Sequence, residues 1–157
     1  MNLKAEYEND FYAWLNHNIT LLRERRLAEL DVDNLIEELV DMGREKRGEL
    51  VSRFIILIAH LLKWQFQLQQ LSSRWQEFEG KSWRKTIIEQ RLQIENKLED
   101  NPSLKPYLDE AIHKAYPKAV IFAVKETGIA KSHFPDNCPY TMEQLLDYDF
   151  YPQPESS

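Results

Sequence analysis

Cysteine occurs once in this chain of 157 residues, at Cys138, and glycine only four times. A single thiol makes no internal disulfide and begins no Cys-rich zinc site, so the composition points to a reducing compartment, the cytoplasm. So few flexible joints favour helices over strands and tight turns. MNLKAEYEND lacks the basic-then-apolar order of a secretory leader. The longest strictly apolar run near the centre, Phe54 to Ala59, is far short of the roughly 20 residues a membrane-spanning helix needs, so no membrane association is expected. No Gly-rich phosphate loop is present. Lys and Arg are absent from residue 132 onward, where Asp136, Glu143, Asp147, Asp149 and Glu155 supply −5 of the formal −6. Such an end repels phosphate backbones: broad nucleic-acid binding is disfavoured, while a specific RNA stays open.

What is present reads as one all-α domain, with a core over about 7–128, a carboxyl-terminal arm over 129–152 and a tail over 153–157. Five main helices are expected. Phe11, Trp14, Leu15, Leu21 and Leu22 recur at helical spacing behind Asn9 and Asp10, which can cap, and the run ends at the basic cluster Arg23 to Arg26. Asp31 and Asp33 offer caps for a second helix, with Leu35, Ile36, Leu39 and Val40 on one face and Gly43 as its end or bend. A third, Arg44 to about Gln70, is apolar nearly all round in its middle and is the expected central helix.

Trp83, Ile87, Ile94 and Leu98 mark the fourth helix, which carries Lys81, Arg84, Lys85 and Arg91. NPSLKP turns the chain into a fifth, with Ser103 as a cap, Leu104 to Ala115 as its face, a kink or break expected at Pro117, and Gly128 closing it. The arm, with Pro135, Pro139, Pro152 and Pro154, is irregular except for one short helix behind the capping-box pair Thr141 and Gln144.

YENDFYAWL, NLIEELVDMGREKR, HLLKWQFQ, KSWRKTIIEQR, NPSL, ETGI and FPDNCPYTMEQLLDYDFYP, in this order, resemble the bacterial domain of unknown function 29 (DUF29) family, common in cyanobacteria. The resemblance runs from about Tyr7 to Pro152. It implies a small, helical, cytoplasmic domain with no assigned activity, and it carries no catalytic residue with it. Pro117 and the long connection between Trp64 and Trp83 depart from the family's usual form.

The greasiest stretch, RFIILIAHLLKWQF over 53–66, holds three ionisable side chains, Arg53, His60 and Lys63. Arg53 and His60 are nearly two turns apart, about 10 Å along one face. Their spacing resembles the motif of the HEPN superfamily of helical ribonucleases, where an imidazole moves the proton and a guanidinium holds the phosphate. That reading makes the protein a metal-independent endoribonuclease or related phosphoryl-transfer enzyme, completed by a second subunit as a homodimer. The bland reading gives His60 a carbonyl or carboxylate acceptor, pairs Arg53 with Glu37, Glu38 or Asp41, and lets the Lys63 ammonium reach water.

Metal chemistry has little to stand on. His60 with the acids of the second helix lacks a Glu-x-x-His spacing, and His133 with Cys138 gives two ligands where zinc wants four. No metal or cofactor is expected, and Cys138 has no base beside it. Trp14, Trp64 and Trp83 fall at core positions, and Trp75 is left for a partner. The basic residues Lys81, Arg84, Lys85 and Arg91 read as a solvated face, or as a docking site for the acidic arm or an acidic partner. The function expected first is a non-enzymatic protein-interaction or regulatory module, with the Arg53–His60 enzyme as the alternative.

Overall fold

The computed structural model describes residues 2–67 and 80–154. Among them the chain is all-α: six helices, one of them short and set in an irregular carboxyl-terminal arm, and no strand. Its contacts fall into two compact units, residues 1–46 and 47–157.

The first unit begins with a helix that apolar periodicity does not announce, α1 (Leu3–Asn9), capped by Asn2 through Ala5 N–H at 3.1 Å. Asp10 ends α1 and caps α2 (Phe11–Arg23), its carboxylate accepting from Ala13 N–H at 3.1 Å. Helix α2 closes in a Schellman turn: Arg26 N–H donates to Leu21 O at 2.9 Å and Arg25 N–H to Leu22 O at 3.1 Å. Arg25 therefore holds φ 60°, the left-handed region that favours glycine. A short 3-10 turn (Leu27–Glu29) leads to α3 (Val32–Phe66).

Polar groups hold this unit together. The buried Trp14 indole packs on Tyr7 at 4.8 Å and Phe11 at 5.3 Å and donates to Asp31 at 2.9 Å. The Asn34 amide donates to the same oxygen at 2.8 Å. Asn18, also buried, accepts from Asp31 N–H at 3.1 Å and donates to Trp14 O at 2.8 Å. Burial works to raise the Asp31 carboxyl, but these donors outweigh it and hold Asp31 below the ordinary carboxylate range.

Helix α3 runs straight through Gly43, where two helices were expected. An interior helical glycine costs only about 1 kcal/mol relative to alanine, too little to stop a helix that its neighbours on both sides favour. The second unit takes the rest of α3 with α4 (Lys81–Asp100), α5 (Leu108–Thr127) and the arm, which carries α6 (Met142–Leu146). The central-helix expectation holds here: Leu50, Phe54, Leu57, Ile58, Leu61 and Leu62 of α3 are all fully buried. Ile87 and Ile94 of α4, the row Ala111, Ala115, Ala119 and Ala123 of α5, and Phe134, Tyr140 and Leu145 of the arm belong to the same cluster.

Two local expectations fail. Pro117 does not break α5, because it sits on the exposed side, where water can take the carbonyl that its missing N–H releases. Ser103 caps nothing, since a 3-10 segment (Pro102–Tyr107) intervenes before Leu108. Gly128, at φ 74°, closes α5, and Thr141 and Gln144 form the full capping box at 3.1 and 2.9 Å. No helix among the described residues is long and apolar enough to cross a membrane. Trp75 and residues 68–70 of the expected third helix lie outside the described residues.

Candidate functional site

Lys63 sits where α3 is apolar on every side, and its ammonium does not reach water. It is 4% exposed, and its Nζ meets Glu126 of α5 at 2.5 Å and lies 5.1 Å from the centre of the Trp83 ring. A buried ammonium persists only when paired, and Glu126, itself half in water, supplies the pair. Sequence reasoning missed Glu126. It stands 63 residues away among many acids, and only its place two residues before the capping Gly128 marked it.

His60, one turn back from Lys63, is half-buried. Its Nδ1 lies 2.8 Å from the Ile56 carbonyl, an acceptor only, so that nitrogen carries the proton and Nε2 is left to accept one. Burial pushes the imidazole below its ordinary value and the Lys63 charge adds to this, against the Ile56 carbonyl and Glu126. The ring is therefore neutral at pH 7. Arg53 makes no hydrogen bond or ion pair among the described residues, and the acids named for it are engaged or apart: Glu38 accepts from the Tyr7 hydroxyl and Asp41 from Arg44. The charged groups that act on His60 are Lys63 and Glu126, not a guanidinium.

Of the four basic residues singled out on α4, Lys81, Arg84 and Lys85 are exposed and Arg91 is buried. Arg91 Nε donates to Leu145 O at 2.8 Å and Nη2 to Gln144 O at 3.1 Å, so the guanidinium holds the carboxyl end of α6 by main-chain carbonyls. Tyr151 lies over it at 5.5 Å and over Arg84 at 5.3 Å, and Trp64 packs on the same tyrosine at 4.8 Å. Burial works against the Arg91 charge and lowers its affinity for the proton; Tyr151, Asp147 and Tyr148 partly restore it. The Tyr148 hydroxyl donates to Glu95, and the Tyr140 hydroxyl to Gln65 at 2.8 Å. The arm is thus held by tyrosines and carbonyls, and its carboxylates are secondary.

Two cavities open beside these contacts. One of about 490 Å³ lies between α5 and the arm, lined by Tyr116, Pro117, Val120, Ile121 and Phe134; one of about 330 Å³ is bounded by Arg91, Glu95, Leu98, Glu99, Lys105 and Leu146. Among the described residues no three His, Cys, Asp or Glu side chains converge on a metal position. Cys138 bonds to Tyr140 O at 3.5 Å, and burial raises its thiol, which makes it a poor nucleophile.

The largest uncovered feature belongs to the first unit. Among the described residues fifteen large apolar side chains are exposed, and ten lie between Phe11 and Met42. Four of them, Val32, Ile36, Leu39 and Val40, stand on one side of α3 at 50, 52, 65 and 42% exposure. The helical spacing was legible; that the face stands exposed among the described residues was not.

The profile of a family described as Domain of unknown function DUF29 matches residues 6–151. No curated protein and no solved structure matches the chain.

Proposed function

Because the chain belongs to the DUF29 family, whose membership brings no activity with it, we propose a reading from the surface: the protein is a non-enzymatic interaction or regulatory module whose first unit offers an apolar helix face to a protein partner. The observation that carries this is the stripe Val32, Ile36, Leu39 and Val40, left in water while neighbouring polar groups knit the rest of the unit. Contiguous exposed apolar surface of this kind marks interaction sites in soluble proteins. A reducing, cytoplasmic setting suits a lone thiol that is half-buried and held protonated.

The test is loss of a defined complex. Partners recovered on the full chain are identified, purified and titrated against wild type and Leu39→Asp. The expected result is at least a tenfold loss of affinity with unchanged helicity; a partner bound equally by both proteins removes the stripe from the reading.

The phosphoryl-transfer alternative keeps one supporting observation, the neutral His60 ring with Nε2 able to accept a proton. Its test is metal-free incubation with mixed RNA beside His60→Ala and Arg53→Ala. Cleavage lost in both would favour it.

A further inference from the structure

Arg91 is 1% exposed, yet among the described residues no carboxylate forms an ion pair with it. Its Nε and Nη2 are spent on the carbonyls of Leu145 and Gln144 at 2.8 and 3.1 Å. Those two nitrogens share one edge of the planar guanidinium, so Nη1 stands off that edge; it is buried and has no acceptor. A buried cation with a donor unspent is costly unless an anion meets it. Arg91 also bounds the cavity of about 330 Å³, within the roughly 300–1,000 Å³ typical of small-molecule sites. Leu98, Pro102 and Leu146 give that cavity an apolar wall, and Glu95, Glu99 and Lys105 line it with exposed charges. Arg91, Glu95 and Glu99 follow one another at four-residue spacing along one row of α4, from a buried cation to exposed acids. Glu95 accepts from the Tyr148 hydroxyl, whereas Glu99 and Lys105 have no hydrogen bond or ion pair among the described residues.

A ligand for such a cavity carries both signs of charge and an apolar body. A phosphate-like dianion would meet the two glutamates, and a simple cation would leave the guanidinium unanswered. We propose that this cavity binds a free α-amino acid with an aliphatic side chain, its carboxylate drawn to Arg91 and Lys105 and its ammonium to Glu99 and Glu95. The aliphatic side chain lies on Leu98, Pro102 and Leu146 and supplies the hydrophobic part of the affinity. A peptide terminus carries one of the two charges and not the other, which selects the free amino acid. The site lies wholly in the second unit and uses no residue of the Val32–Val40 stripe, so it goes beyond the interaction reading and is tested apart from it.

The experiment titrates L-leucine into the full chain by calorimetry, beside 4-methylpentanoate, which lacks the ammonium, and leucinamide, which lacks the carboxylate. Leucine is expected to bind saturably, one per chain, at millimolar concentration or below, and each truncated probe at least tenfold more weakly. Because Arg91 also holds α6, its replacement would mix folding with binding, so the variants are Glu99→Lys and Lys105→Glu, both at exposed positions. Glu99→Lys should weaken leucine at least tenfold and strengthen 4-methylpentanoate; Lys105→Glu should weaken both. The part of Arg91 is read directly in the wild type, where its guanidinium NMR resonance should shift as leucine saturates. No saturable binding of leucine, a truncated probe bound as tightly as leucine, leucine affinity unchanged in both variants, or an Arg91 resonance unmoved at saturation overturns the proposal.

Discussion

Residues 47–154 bury twenty-three apolar side chains in one cluster, whereas residues 2–46 bury two, Trp14 and Leu21, and leave ten large ones in water. The second unit rests on hydrocarbon and dispersion. The first rests on the Trp14, Asn18, Asp31 and Asn34 hydrogen bonds, each contributing about 1 kcal/mol net. Its apolar content is enough for a core but points outward. A segment that spends oily residues on its surface is shaped by what it meets as well as by its own folding.

The sharpest way to break this contrast is to cut each side. Phe54→Ala, at a fully buried position, should cost about 3–5 kcal/mol in denaturant unfolding. Leu39→Ser, at a position 65% exposed, should stay within about 0.5 kcal/mol in the monomer. Equal effects would mean that the two units are not built differently.

Next in size is an asymmetry at the Lys63–Glu126 pair. Glu126→Gln leaves an ammonium stranded inside and should cost about 2 kcal/mol, discounted because the glutamate is itself 44% exposed. Lys63→Met leaves only a half-wet carboxylate and should fall within about 1 kcal/mol of wild type. The reverse order in thermal melts would mean that the lysine ammonium is hydrated after all.

Acid should act on the two units at different pH. His60 binds its proton less readily folded than unfolded, so its contribution is complete above about 6.5, the ordinary imidazole value, and is lost as pH falls through the lower folded value. Asp31 is also depressed when folded, so its contribution is complete above about 3.8 and disappears only below that. Hydrogen exchange followed by region should loosen 47–154 first, and His60→Gln should abolish that earlier step while leaving the Asp31 step in place.

The smallest effect sharpens the view of the first unit. Arg25→Gly relieves a left-handed residue and should raise stability by about 0.5–1 kcal/mol, read as a shift in denaturant midpoint. A loss would mean that the arginine side chain does more at the Schellman turn than occupy it.

Features fixed within a few residues were legible in the sequence: the Asp10 cap, the Thr141 and Gln144 box, the Gly128 stop and the apolar face of the central helix. Helix α1 was not, because its place depends on Tyr7 reaching Glu38 and the Trp14 ring. Gly43 and Pro117 were overread as breaks, since a local propensity of about 1–3 kcal/mol yields to good helix formers on either side or to water on an outer face. The Lys63 ammonium and Arg91 were read as exposed because the groups that receive them, Glu126 and the carbonyls of 144 and 145, lie more than fifty residues along the chain.

Arg91 also sets a timetable. Its acceptors are synthesised 53 and 54 residues after it, so a nascent chain emerging from the ribosome has α4 long before it has the carbonyls that hold its guanidinium. Until α6 arrives the side chain stays hydrated, and the second unit closes around it as a late event, so premature termination within the arm would leave a chain with its helices made and its seal missing.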